Sequence, residues 1–173
     1  MGLRSLAAAV SAEQTVKKSR FVTRLFPVTA PAEVKPLVDA ARRAEFGARH
    51  HATAMVIGHD LAYQRSNDDG EPAGTAGAPM LEVLRREAVT DVLAVVSRHF
   101  GGALLGRAGL IRAYGGGVAA DLAGAAFTVK PPRLGFEVRV SLADAGRAEH
   151  LLRVFAGGWA DGIVRASYGT EAA

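Results

Sequence analysis

At 173 residues, 49% apolar and 22% charged, the chain has the length and make-up of one globular domain, or one domain with a small appendage. Its formal charge of +4 leans toward polyanionic partners, and the absence of cysteine excludes disulfides, thiolate nucleophiles and cysteine-ligated zinc or iron–sulfur sites. No apolar run approaches ~20 residues, and Leu6–Val10 is too short for a secretory core, so a cytoplasmic protein without a membrane segment is expected.

Glu13–Lys18 is polar and leads into Arg20–Val28, where Phe21, Thr23 and Leu25 alternate with Val22, Arg24 and Phe26 and predict a strand. Pro31 opens a helical pattern through Val34, Leu37, Val38, Ala41 and Phe46, with Gly47 as its stop. Pro36 inside that pattern demands a late start or an irregular first turn. The basic excess is concentrated here: residues 17–49 hold eight Lys and Arg against Glu33, Asp39 and Glu45. A solvated face explains such a run as well as a binding surface does.

His50–Gly58 and Leu61–Arg65 read as two strands joined at Gly58-His59-Asp60. Residues 66–78 form a loop, and Pro79 starts a helix with Met80, Leu81, Leu84 and Ala88 on its apolar face. Asp91–Ser97 contains Val92-Leu93-Ala94-Val95-Val96, a continuous apolar run that fits a central strand covered on both faces. A helix is predicted from Leu104 or Leu105 to about Leu122. Gly115-Gly116-Gly117 inside it costs about 1 kcal/mol per residue relative to Ala. Either another element packs tightly there or the helix breaks. After Lys130-Pro131-Pro132, a strand over Phe136–Leu142, a helix over Asp144–Phe155 and a strand over Gly162–Tyr168 are expected.

Four constellations bear on chemistry. Asp68, Asp69 and Glu71 sit in a turn-forming loop, where they can fix nearby arginines, form a plain turn, or offer hard oxygen ligands to a metal; the arginine reading is preferred and no metal is assigned. Gly74-Thr75-Ala76-Gly77 precedes a helix but lacks the lysine of a Walker-type loop. Arg98-His99-Phe100-Gly101-Gly102, followed by Arg107 and Arg112, has the strand–glycine–helix order that presents donors to an anion. The glycine spacing is not that of a dinucleotide fingerprint. Adjacent His50 and His51 on a strand point to opposite faces and do not chelate one metal. Either could pair with Asp68 or Asp69 as acid and base, but no nucleophile accompanies them beyond the hydroxyls of Ser66 and Thr75.

Lys17-Lys18-Ser19-Arg20-Phe21, Ala48-Arg49-His50-His51, Asp68-Asp69-Gly70-Glu71-Pro72-Ala73-Gly74-Thr75-Ala76-Gly77, Arg98-His99-Phe100-Gly101-Gly102 and Gly109-Leu110-Ile111-Arg112-Ala113-Tyr114-Gly115 resemble the IMPACT/YigZ family over residues 15–125. The resemblance implies an α+β chain. Its N-terminal α/β sandwich domain would resemble domain IV of elongation factor G, and a partial ferredoxin-like βαβ unit would follow. The divisions expected are an extension over 1–14, the main domain over 15–127 and the C-terminal region over 128–173. Eukaryotic relatives regulate translation under amino-acid starvation, through a partner set that does not transfer to this chain. The pattern departs at His99, usually aromatic, at Leu104, often Lys, and at Arg107 and Ala108, often Thr and Gly.

These readings converge on a protein that binds RNA or the ribosome and modulates translation, with no cofactor and no assigned catalytic residue. Arg20, His50, His51, Thr75, Arg98, His99, Gly101, Gly102, Arg107 and Arg112 are the expected polyanion- or partner-binding residues. Asp68, Asp69 and Glu71 are expected to shape that surface. Two alternatives stay open: an enzyme acting on a small phosphorylated or carboxylated metabolite, and a module that binds a protein partner or a second copy of itself.

Overall fold

A strand that is apolar without alternation must be covered on both sides. Val92–His99 meets that condition, with seven of its eight residues buried. The computed structural model describes residues 3–58, 61, 63–130 and 138–157. Among the described residues the strands are β1 (Leu3–Leu6), β2 (Val10–Val16), β3 (Ser19–Pro27), β4 (His50–Ile57), β5 (Tyr63–Asn67), β6 (Val92–His99) and β7 (Phe127–Lys130). The helices are α1 (Val34–Ala44), α2 (Gly77–Arg86), α3 (Arg107–Ala123) and α4 (Ala145–Gly157). The chain is α+β and divides into two units, residues 1–132 and 133–173.

In the first unit β2, β3, β6, β4 and β5 form one antiparallel sheet in that order, which makes β6 the central strand. Strand alternation sends its side chains to two separate cores. Val92, Ala94 and Val96 pack with Met80, Leu84, Tyr114 and Val118 of α2 and α3. Leu93 and Val95 pack with Ala41, Leu37 and Val38 of α1 on the opposite face. The result is a helix–sheet–helix sandwich. β1 and β7 pair with each other in a separate two-stranded ribbon.

Several local expectations shift. A single 3₁₀ turn, Pro31–Glu33, precedes α1, and Glu33 closes it by accepting from the Thr29 hydroxyl at 2.9 Å. Pro36 then falls in the first turn of α1, where backbone N–H groups lack intrahelical acceptors. Phe46, expected on the buried side of that helix, lies beyond its end and is 93% exposed. The polar lead-in expected over Glu13–Lys18 lies largely in β2 (Val10–Val16), so this strand crosses the position expected to open the main domain. An edge strand with one open side needs no apolar alternation, which is why the sequence did not announce it.

α3 runs unbroken through Gly115-Gly116-Gly117. A Cβ at Gly117 would stand 2.7 Å from Thr23 Oγ1 and 2.9 Å from Gln14 Nε2, so the sheet demands glycine there. In the second unit α4 matches the expected helix. The strand expected at Gly162–Tyr168 lies outside the described residues, as do residues 136 and 137; residues 138–141 carry no strand.

Candidate functional site

The acidic loop wraps around the end of the sheet, and its three acids go three ways. Asp68 accepts backbone N–H bonds from Gly74 at 2.8 Å, Ala76 at 3.0 Å and Gly77 at 2.9 Å. Burial alone would raise its pKa, but these amides outweigh burial and hold the carboxyl below the usual range. Asp69 turns to the α1 face, accepting from Arg42 at 2.6 Å and from the His51 backbone N–H at 2.7 Å. Burial again opposes and is again outweighed, so its carboxyl is also held low. Glu71 turns to the α2/α3 face.

There Glu71 meets Arg98. The Arg98 Nη1 donates to both Glu71 oxygens, at 2.8 and 3.0 Å, with the Arg98 side chain 7% and the Glu71 side chain 2% exposed. The Tyr114 hydroxyl donates to the same carboxylate at 2.7 Å. Burial, then the neighbouring carboxylate, push the Tyr114 pKa up, so the hydroxyl remains a donor. The guanidinium carbon of Arg98 lies 5.6 Å from the Phe21 ring centroid and 5.4 Å from that of Phe100. Its Nε is buried without a hydrogen-bond partner.

The α1 face is organised by a different acid. Glu45, at the end of α1, accepts from Arg24 at 2.7 Å and Arg20 at 3.0 Å, and His99 Nε2 stands 2.9 Å from it. Burial raises its pKa and these partners lower it further than burial raises it. Arg20 also reaches Glu13 at 3.1 Å. His51 Nδ1 lies 2.8 Å from Ser97 Oγ, and burial, with Arg42 nearby, lowers its pKa and keeps the ring neutral.

These contacts distribute the expected binding residues over both faces of the sheet. Arg98 is buried against Glu71 rather than presented to an anion, because its strand position faces the α2/α3 core. Arg20 and His99 lie on the other face of the sheet and are engaged with Glu45. His51 and Thr75 are buried, with Thr75 Oγ1 donating to the Pro72 carbonyl at 2.7 Å. Gly101 is a packing position, since a Cβ there would collide with the Lys18 carbonyl. Gly102 is exposed and adopts φ +86°. Neither histidine meets an Asp68 or Asp69 carboxylate as acid and base. His50 Nδ1 instead lies 2.8 Å from the Asp69 backbone carbonyl, which can only accept, so Nδ1 carries the proton.

What remains accessible is a cleft of about 460 Å³ on the α2/α3 face, lined by Arg49, His50, Arg98, Phe100, Leu104 and Arg107 among others. Arg49 and Arg107 are exposed, and among the described residues their side chains make no hydrogen bond or ion pair, although the Arg49 backbone N–H donates to the Arg98 carbonyl at 3.0 Å. Phe100 is 43% and Leu104 82% exposed. The cleft ends at the start of α3, whose first residue is Arg107 and whose N-terminus has no side-chain cap. Arg112 is elsewhere on α3, beside a smaller hollow of about 170 Å³ with Gln14, Lys17 and Leu105. Of the expected residues, the cleft therefore gathers His50, Arg98 and Arg107, and leaves Arg112, Arg20 and His99 apart.

Sequence reasoning gave no role to Glu45, Tyr114, Phe100 or Arg49. Three of them stand inside the quoted motifs, and Glu45 was visible as one of few acids in a basic run. Asp121 gave no signal at all. It is a buried carboxyl on α3 supported by the Ala12 backbone N–H, with Oδ2 unpartnered, and burial raises its pKa to about 6.

Comparison with known proteins accounts for the shared scaffold. The Impact N-terminal domain matches residues 17–122. An IMPACT family member of Bacillus subtilis, YvyE, is 46% identical over 110 residues, covering 64% of this chain and 51% of that protein. YigZ of Escherichia coli is 46% identical over 114 residues, covering 65% and 56%. The chain thus spans about half the length of these curated relatives. A solved structure described as "Crystal structure of an hypothetical protein" superposes with a TM-score of 0.74 at 31% identity, over 92% of this chain and 95% of that one. The chain belongs to the IMPACT family.

Proposed function

We propose that this protein binds RNA through the cleft on the α2/α3 face and acts in the regulation of translation. One observation carries the reading: among the described residues the Arg49 and Arg107 side chains stand exposed and without ion pairs, at a cleft whose one lining acid there, Glu71, is already bound to Arg98 and Tyr114. Such a surface has a net positive charge and donors available to phosphate oxygens. Asp68 and Asp69, which would otherwise repel a polyanion nearby, are turned into the protein and hydrogen-bonded there. The translational role rests on the family resemblance, and the ribosome is one RNA surface that fits it.

Fluorescence anisotropy with labelled single-stranded RNA tests the reading. Affinity should be measurable at low salt and should fall as salt rises, with a slope near −0.7 per phosphate contacted. Undetectable binding at low salt ends the proposal.

A further inference from the structure

The cleft has two characters, and phosphate recognition uses only one. Arg49 and Arg107 supply charge. Phe100 and Leu104 supply exposed apolar surface in the same cleft, where burial in the core was not achieved. Resting on the RNA reading, we infer that this cleft is a subsite for one unstacked nucleotide of a single strand. Its base lies against Phe100 and Leu104, and its flanking phosphates lie at Arg49 and Arg107.

Four observations support that division. First, the Phe100 ring is held: the Arg98 guanidinium sits over it at 5.4 Å, and Arg98 is itself fixed by the buried Glu71. Phe100 nevertheless stays 43% exposed and lines the cleft, so an anchored aromatic side chain is available to a ligand there. Second, every base presents a flat π-face that such a ring can stack on without reading its sequence. Third, about 460 Å³ is the size of a small-ligand site and suits a single nucleotide. Fourth, the hydrogen bond from His50 Nδ1 to the Asp69 carbonyl fixes that ring in the cleft wall and leaves Nε2 as the ring nitrogen to meet a ribose hydroxyl. A duplex offers phosphates and ribose hydroxyls but no unstacked base face for Phe100.

The experiment compares a labelled eight-nucleotide single-stranded RNA with a sixteen-base-pair RNA duplex, by anisotropy at fixed salt. Phe100→Leu keeps apolar bulk and removes the ring; Phe100→Tyr keeps the ring. Leu104→Asp alters a side chain too exposed to matter for folding. Expected results are single-strand affinity about 10-fold weaker for Phe100→Leu, near parental for Phe100→Tyr, and at least about 10-fold weaker for Leu104→Asp. Phe100→Leu should leave the salt slope unchanged, whereas Arg107→Ala should lower it by about one contact. The duplex should bind more weakly than the single strand. Salt-dependent binding that ignores both Phe100→Leu and Leu104→Asp, or that favours the duplex, overturns the subsite and leaves the RNA reading standing. Absence of RNA binding by the parent protein removes both.

Discussion

Glu71 and Arg98 face each other at 2.8 Å with the Tyr114 hydroxyl completing the carboxylate's shell, all three inside the fold. A charge in that position is tolerated only while its partner is present. Glu71→Gln should therefore destabilise the protein by about 3 kcal/mol, read as a fall in the urea midpoint with unchanged slope. A midpoint within experimental error of the parent would show that the pair is not desolvated as described.

Asp121 gives the opposite sign. Its folded-state pKa of about 6 lies above the ordinary carboxyl value of 3.8. The folded state thus holds this proton more tightly than the unfolded chain. The favourable contribution is complete below about pH 4 and disappears as pH rises through 6. Asp121→Asn keeps an acceptor for the Ala12 N–H and removes the charge. It should stabilise the protein at pH 7 by on the order of 2 kcal/mol and abolish the rise in thermal midpoint between pH 7 and 5. An unaltered pH profile would assign that rise to another group.

Asp68, Asp69 and Glu45 act in the acid range instead. Their carboxyls are held below ordinary values, so their contribution is present above the unfolded-state values near 4 and is lost as pH falls through the folded ones. Asp68→Asn should remove part of that acid limb and cost roughly 1–2 kcal/mol at neutral pH, since three amide donors lose a charged acceptor. Acid titrations of the two proteins followed by circular dichroism would expose the difference.

Adjacent glycines of α3 should respond in opposite directions. Gly117→Ala forces a methyl against Thr23 and Gln14 and should cost about 1–3 kcal/mol. Gly116 has nothing within 4 Å of the added position. Gly116→Ala should stabilise by up to about 1 kcal/mol through helix propensity. Equal thermal midpoints for the two variants would contradict the packing of α3 on the sheet.

The same contrast shows what was legible beforehand. The unbroken apolar run of Val92–Val96 identifies the central strand, because burial on both faces leaves a compositional mark. The pairing of Asp69 and Glu71 with arginines follows from acids placed in a turn of a basic protein, although nothing in the sequence selects Arg42 and Arg98 as their partners. Period-two alternation at His50-His51 predicts that the rings part, yet the same rule applied at Arg98-His99 would have divided the expected binding set between two faces. β1, β2 and β7 were not read because short or exposed edge strands carry little periodicity. The exposure of Phe100 is not legible in the sequence, since exposure of an aromatic is a property of packing and not of the residues around it.

Asp69 reaches Arg42 of α1 with its carboxylate and His50 of the cleft wall with its carbonyl. A single residue thereby belongs to both layers of the sandwich. Its backbone fixes one wall of the cleft while its side chain is tied to the helix on the opposite side of the sheet. The acidic turn is therefore a rivet through the sandwich, so the position of the cleft wall is set partly by a helix that does not line it.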